Sequence, residues 1–264
     1  MKVAFWNINT GPASSVHRHN ALKDWCAWAK DQGVDLIMLV EVGDFENDKL
    51  ETLTGYNYIN NVANEDINNH NCKRIFALEK DKDTFNGVSM RFPQLQQRRN
   101  LLKVTYKQNK APHNNLNGFS AWVIHANASQ IGGKNAVENV LKHTTSGHGE
   151  DCIVGGDFNY DIGKEEVQNA THPLSCDSDN LKFTQWDKEN ENAIKKNDYD
   201  RQSELHLRNA TNLPTFKGIK EHSIIDYVIS GEKRTVTALK SCEPNMWRDI
   251  LMQFDHSPVV YEIT

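Results

Sequence analysis

IVGGDFNY, residues 153–160, joins a short apolar run to two glycines and then to Asp157, Phe158 and Asn159. An apolar run followed by Gly-Gly-Asp predicts a strand, Cys152 to Val154, that enters a turn. Glycine, Asp and Asn are ordinary turn formers, so the stretch alone demands no chemistry. What stands on either side of it decides the fold.

Upstream, Lys2 to Ile8 predicts a strand. Ser14 or Ser15 can cap a helix in which Leu22, Trp25, Cys26 and Ala29 share one face, and Gly33 ends it. Asp35 to Val42, DLIMLVEV, has the composition of a buried strand. These 42 residues read β-α-β, the signature of parallel strands in an α/β domain. Lys73 to Glu79, Gly87 to Met90 and Leu101 to Lys107 are shorter strand candidates with polar connections, which suggests antiparallel pairing. Phe119 to His125 is a further strand, and Ala136, Val137, Val140 and Leu141 form a helix stripe. Downstream of the quoted stretch, residues 161–213 are polar, with isolated anchors such as Phe183, Trp186 and Leu207, and read as a long excursion with helical parts. Strands return at 224–229, 235–240 and 258–263. No internal repeat or linker is visible, so residues 1–264 are expected to form a single domain.

The chain is 38% hydrophobic and 25% charged, with six Trp spread along it, a composition that suits a folded chain rather than a disordered one. No apolar run reaches transmembrane length, and MKVAFWNIN shows no leader pattern. A cytoplasmic chain with no membrane partner is therefore expected, although a mature secreted protein would look the same. The five cysteines (Cys26, Cys72, Cys152, Cys176 and Cys242) are scattered and odd in number. They read as reduced thiols with no zinc spacing, and leave room for one disulfide. The formal net charge of −5 argues against a passive nucleic-acid-binding module, which would be basic. An enzyme acting on a phosphate ester with a metal ion needs only local positive charge.

Polar residues recur at the ends of apolar strands. Asn7 closes VAFWN, Glu41 interrupts LIMLVEV, and His125 ends AWVIH, with Asn127 close behind. Asp157 and Asn159 follow CIVGG, Asp226 lies in SIIDYVIS, and Asp255 and His256 stand in FDHSP before the last strand. Each has an ordinary structural explanation as a turn former, a strand edge or a satisfied histidine. Asp226 fits that explanation least, because an acid amid Ile224, Ile225, Tyr227, Val228 and Ile229 needs a partner. Together, carboxylates, two histidines and two Asn suit a divalent cation with acid-base chemistry. Oxygen donors favour Mg²⁺ or Mn²⁺ over zinc. A histidine held by a buried Asp can take a proton from water, and Asp226 and His256 qualify if their strands are neighbours.

In that order, WN, the Glu of VEV, the His of IHAN, GDFN, IDYVIS and DHSP, with PTF at 214–216, the chain resembles the endonuclease/exonuclease/phosphatase superfamily, which includes pancreatic-type deoxyribonucleases and exonuclease III-type repair nucleases. The resemblance spans the chain from Asn7 to the final strand. It implies an α/β fold, a four-layer α-β-β-α sandwich of two mixed sheets packed face to face, with the active site at one end of the sheets. Roles follow residue by residue. Glu41 would hold the metal with Asn7 beside it and Asp255 in support. His256 would be the general base, oriented by Asp226. Asp157 and Asn159 would position the scissile phosphate, and His125 would contact it and help the leaving group. Arg91 in SMRFP, together with Asn127, would contact substrate, although a plain surface Arg explains Arg91 equally well.

Two departures bear on substrate. LVEVGD lacks the Gln before and Lys after the metal Glu that apurinic endonucleases carry, and YDIG replaces their His-containing continuation after GD-x-N. His17, Arg18 and His19 read as a solvated helix start. Arg98, Arg99, Lys103 and Lys107 could line a phosphate track, but strand alternation puts only some of them on one face. The expected activity is a Mg²⁺-dependent phosphodiesterase, a nuclease with DNA as substrate and partner. The alternatives are RNA cleavage, an enzyme for inositol phosphate or sphingomyelin-type esters, and a catalytically dead binding subunit. The last is disfavoured because every required acid and histidine is present.

Overall fold

The β-α-β reading of the N-terminus holds in the computed structural model. β1 (Lys2–Asn7) and β2 (Leu36–Val40) pair in parallel, connected through α1 (Ser15–Asp31). The residues described are 1–8, 15–42, 47–59, 75–90, 101–107, 116–126, 133, 135–137, 140, 151–160, 182–183, 216–217, 222–223, 225–230, 234–243, 246, 249–250 and 253–264. Arg91, Asn127, Arg98, Arg99, Leu141, Ser14, Cys72 and Cys176, and nearly all of the polar excursion 161–213, lie outside them. Gly33 ends α1 as expected, with φ of 76°. Its N–H donates to the Lys30 carbonyl at 3.1 Å, and that of Val34 to Ala29 at 2.9 Å, which satisfies two carbonyls left over at the helix end.

The remaining elements are α2 (Asn47–Thr54), β3 (Asn57–Tyr58), β4 (Phe76–Glu79), β5 (Phe85–Met90), β6 (Leu101–Tyr106), β7 (Ser120–His125), β8 (Cys152–Asp157), β9 (Lys182–Phe183), β10 (Phe216–Lys217), β11 (His222–Ser223), β12 (Asp226–Ser230), β13 (Val236–Leu239) and β14 (Val259–Ile263). One mixed sheet runs β13-β14-β1-β2-β4-β3 and the other β5-β6-β7-β8-β12-β9, while β10 and β11 form a short ribbon. The antiparallel pairing expected of the middle strands is found, β4 with β2 and β5 with β6.

Period-two alternation builds two cores from one set of strands. On β1 and β2, Val3, Phe5, Leu36, Met38 and Val40 face the second sheet, where they meet Leu102, Val104, Ala121, Val123, Ile153 and Val228. The alternate residues Ala4, Trp6, Ile37 and Leu39 face Leu22, Trp25, Cys26 and Ala29 of α1. The helix face read from the sequence is thus the one that covers the first sheet. Outward-facing Trp122, Ile124, Val154, Tyr227 and Ile229 of the second sheet are buried too, as are the helical residues Ala136, Val137 and Val140. The architecture is the expected α/β sandwich of two mixed sheets with outer helices.

Three local expectations need correction. β8 does not end at Val154 but runs through both glycines to Asp157, paired on both sides, Tyr227↔Gly156 on β12 and Ile124↔Gly156 on β7. The glycines are therefore not the turn. A Cβ on Gly155 would sit 2.6 Å from the Phe5 ring, and one on Gly156, whose φ is 127°, would sit 2.2 Å from the Ile124 carbonyl oxygen. Second, Glu41 does not lie within a strand, because β2 ends at Val40 and Glu41 takes φ of 58°. Third, Asp226 is the first residue of β12, not its interior.

Cys26, Cys152 and Cys242 are buried thiols outside any disulfide, and burial pushes the thiols of Cys26 and Cys242 up. Lys107 pairs with Asp83 at 3.5 Å, and the Lys103 ammonium lies 4.9 Å from the centre of the Trp122 ring, so neither lysine stands as an isolated phosphate contact. No helix among the described residues is long and apolar enough to cross a membrane.

Candidate active site

The stripe that faces the other sheet runs Val3, Phe5 on β1, Ala121, Val123 on β7, and Ile153, Gly155 on β8. One step further along each strand, the same alternation delivers Asn7, His125 and Asp157. On β12, which runs the opposite way, the position before inward-facing Val228 on that face is Asp226. Strand pairing sets His125 and Asp226 directly on either side of Asp157. The apolar interior between the sheets thus ends in a polar floor. Asn7, Asp157 and Asp226 are almost fully buried there.

Glu41 should face away, since Val40 already points inward. Its left-handed backbone turns it back instead, and its Oε1 lies 3.3 Å from His125 Nε2. A non-glycine residue in this region costs about 1 kcal/mol or more, and such strain gathers at functional positions. Asn159, with φ of 49°, is a second case. Its backbone N–H donates to Asp157 Oδ1 at 2.8 Å and its side-chain amide to the Ala126 carbonyl at 2.9 Å. The turn expected after the strand is therefore real, but it starts at Phe158.

Asp157 is the hub. The Asn7 amide donates to its Oδ2 at 2.9 Å, and the same oxygen lies 3.6 Å from His125 Nε2 and 3.8 Å from His256 Nε2. Burial pushes its carboxyl up to about 7 against the pull of His256 and of its two hydrogen-bond donors. His256 Nδ1 lies 2.8 Å from Asp226 Oδ2. The two strands concerned are not neighbours in one sheet, as the sequence reading required: β12 and β14 belong to opposite sheets, and the pair closes across the sandwich. Burial alone would lower His256, but the carboxylates of Asp226 and Asp157 override it and hold the ring up at about 9. A ring whose Nδ1–H is fixed by a carboxylate presents Nε2 as its basic atom.

The structure also brings together ligand atoms of Asp157, Asp226 and His256 within 4.8 Å of one another. That trio differs from the expected metal set of Glu41, Asn7 and Asp255. Asp255 precedes His256, and its Oδ1 is buried without a hydrogen-bond partner. The carboxylate oxygens gathered at this end, with an unsatisfied one on the residue that precedes His256, are the donor type that a hard divalent cation takes.

Two neighbours of the site escaped the sequence reading. A Cβ on Gly133 would lie 2.5 Å from the Asn159 carbonyl oxygen and 2.6 Å from that of Phe158, so this glycine backs the turn that carries Asn159. Its only signal was the Gly-Gly pair in SQIGGK. Trp6, read only as the residue before Asn7, donates its indole N–H to the His256 carbonyl at 3.0 Å.

The comparisons with known proteins bear on this geometry. Among solved structures, the chain is similar to a mannosyl-6-phosphatase of Bacteroides thetaiotaomicron (TM-score 0.59, 13% identity, covering 100% of this chain and 99% of that one). It is also similar to the catalytic domain of human Nocturnin with a bound sulfate anion (TM-score 0.55, 16% identity, 100% and 94% covered). A third is the cytolethal distending toxin of Haemophilus ducreyi (TM-score 0.53, 17% identity, 98% and 96% covered). At these identities the likeness shows the fold. No curated protein matches the chain by sequence. The sequence profile described as the Endonuclease/Exonuclease/phosphatase family, whose members hydrolyse phosphate esters and generally use a divalent metal, matches residues 4–246. With that match running from β1 to beyond β13, on a two-sheet sandwich of the family's kind, the chain belongs to the endonuclease/exonuclease/phosphatase family.

Proposed function

We propose that residues 1–264 form one catalytic domain, a Mg²⁺-dependent phosphodiesterase that cleaves DNA by in-line attack of water. The observation that carries this is the His256–Asp226 pair, which faces Asp157 and Asn7 at the polar end of the sandwich. Mn²⁺ suits the same donors. Glu41, with Asn7 and Asp255, would hold the cation, which when bound offsets the charge that builds on the phosphoryl oxygens. His256 Nδ1 is already engaged by Asp226, so we assign the Asp157–Asp226–His256 trio to proton handling rather than to the cation.

In this reading Asp226 fixes the ring of His256, and Nε2, once the proton that the neighbouring carboxylates favour on the ring has left, takes the proton of the attacking water. Asp157 and Asn159, stiffened by their own hydrogen bond, orient the phosphate and the attacking or leaving oxygen. His125, between Glu41 and Asp157, donates to a phosphoryl or leaving oxygen. Donors fixed before reaction act without reorganisation, which is where such sites gain most of their rate. The choice of DNA rests on the resemblance to deoxyribonucleases and exonuclease III-type nucleases, since the series from Asn7 through GDFN to DHSP is common to the superfamily.

A second reading, a phosphatase of small phosphate esters, is favoured by the likeness to a mannosyl-6-phosphatase. Incubation with supercoiled plasmid and Mg²⁺, with EDTA controls, beside a panel of RNA and sugar phosphates, separates the two. Nicking that EDTA abolishes is expected. Phosphate release from mannose 6-phosphate without cleavage of DNA or RNA would replace the nuclease reading by the second.

A further inference from the structure

We propose that Trp6 is a positioning residue for His256, holding the backbone carbonyl of the proposed base while Asp226 holds its ring. The inference rests on the reading of His256 as the base. Trp6 lies on the outer face of β1, almost fully buried, and its indole N–H donates to the His256 carbonyl at 3.0 Å from 250 positions away in the chain. A buried carbonyl needs a donor, and Trp6 provides one to that of His256. The ring makes a second contact with the same segment, edge-on to Phe254 at 4.8 Å. Trp25 of α1 also packs edge-on against the Trp6 ring, at 5.0 Å. The segment that carries His256 is thus held at both Phe254 and His256 by one rigid ring.

The next residue of β1 points the opposite way, and Asn7 binds Asp157. Two successive residues of one strand therefore hold the backbone of the base and the carboxylate that its Nε2 faces. With Asp226 on Nδ1, the imidazole is fixed from ring and backbone together. Trp6 touches no reacting atom in this scheme, and its effect passes through His256.

Trp25 is a built-in control. It is a buried tryptophan of the same core, and its indole N–H also donates to a backbone carbonyl, that of Ser241, at 2.8 Å, but among the described residues it makes no hydrogen bond to the site and reaches His256 only through the Trp6 ring. Trp6→Phe and Trp25→Phe are compared by turnover, by melting temperature and by the imidazole N–H signal of His256 in NMR spectra of the metal-free protein. The expected result for Trp6→Phe is a fall in kcat of about tenfold to a hundredfold with KM nearly unchanged, the mark of a misplaced group rather than lost binding. Its His256 Nδ1–H signal should broaden or shift. Trp25→Phe should lower the melting temperature comparably, yet keep both kcat and that signal. Should Trp6→Phe fail to fold, 3-benzothienylalanine at position 6 keeps the ring shape and replaces the N–H by sulfur. An unaltered His256 signal in the Trp6 variant, or equal kcat in the two variants, overturns the proposal. The NMR comparison needs no turnover, so it tests the hold of Trp6 on His256 even if the phosphodiesterase reading fails.

Discussion

Asp157 concentrates the chemistry of the site in one carboxylate. It is buried at a strand end, accepts from Asn7 and Asn159, and faces both histidines. Burial raises its pKa to about 7, so its charge is a cost to the fold above that pH. Asp157→Ala should therefore lower turnover by at least about 10²–10³-fold, the range for losing a group that stabilises a transition state. The stability cost should stay small, because the two side-chain hydrogen bonds lost, worth about 1.5–3 kcal/mol each to a charged acceptor, are largely offset by relief of the buried charge. Steady-state kinetics and thermal denaturation at pH 8 check both halves. A large fall in stability with activity retained would mark Asp157 as a turn residue only.

The glycines of β8 belong to the scale of elements. Gly155 lets the two sheets approach where the Phe5 ring of β1 lies over β8. Gly155→Ala should cost about 1–3 kcal/mol, as overpacking does, since the added methyl would meet the Phe5 ring at 2.6 Å. Phe5→Leu in the same chain should recover part of that loss, and a double-mutant cycle in urea measures the coupling. Additive effects would mean that the ring moves aside freely. Because Gly155 stands two residues before Asp157 on the same face, the approach it permits also sets how near Asn7 comes to that carboxylate.

Over the whole molecule, the site is a place where the fold stores protons. His256 titrates at about 9 in the folded chain against an ordinary 6.5, and Asp157 at about 7 against 3.8. Both folded pKa values are raised, so the folded state binds more protons than the unfolded chain. The contribution of His256 is complete below about pH 6.5 and disappears as pH rises through about 9. In EDTA the melting temperature should therefore fall between those values, and His256→Asn should flatten the slope. A cation held by Glu41, Asn7 and Asp255 would sit next to these groups and oppose their protons electrostatically, so Mg²⁺ should stabilise the protein more at pH 8.5 than at pH 6.5. Thermal melts across that range, with and without Mg²⁺, test this. A Mg²⁺ effect independent of pH would count against a cation beside Asp157 and His256.

The sequence by itself determined the local elements and the order of the candidate residues. Spacing in SVHRHNALKDWCAWAKD names the buried face of α1, and the apolar runs name β1, β2, β7 and β8, because amphipathic period is a property of neighbours in the chain. The motif series placed Asn7, Glu41, His125, Asp157, Asp226 and His256 among the candidates, and all six converge at one end of the sandwich. Only the tertiary structure decided how they meet. Asp226 reaches His256 across two sheets, Glu41 turns inward through a left-handed backbone, Gly155 yields to Phe5, and Trp6 holds a carbonyl from 250 positions away. The physical reason is that periodicity fixes which face a side chain takes, whereas the partner on that face comes from a strand remote in sequence and is selected by packing.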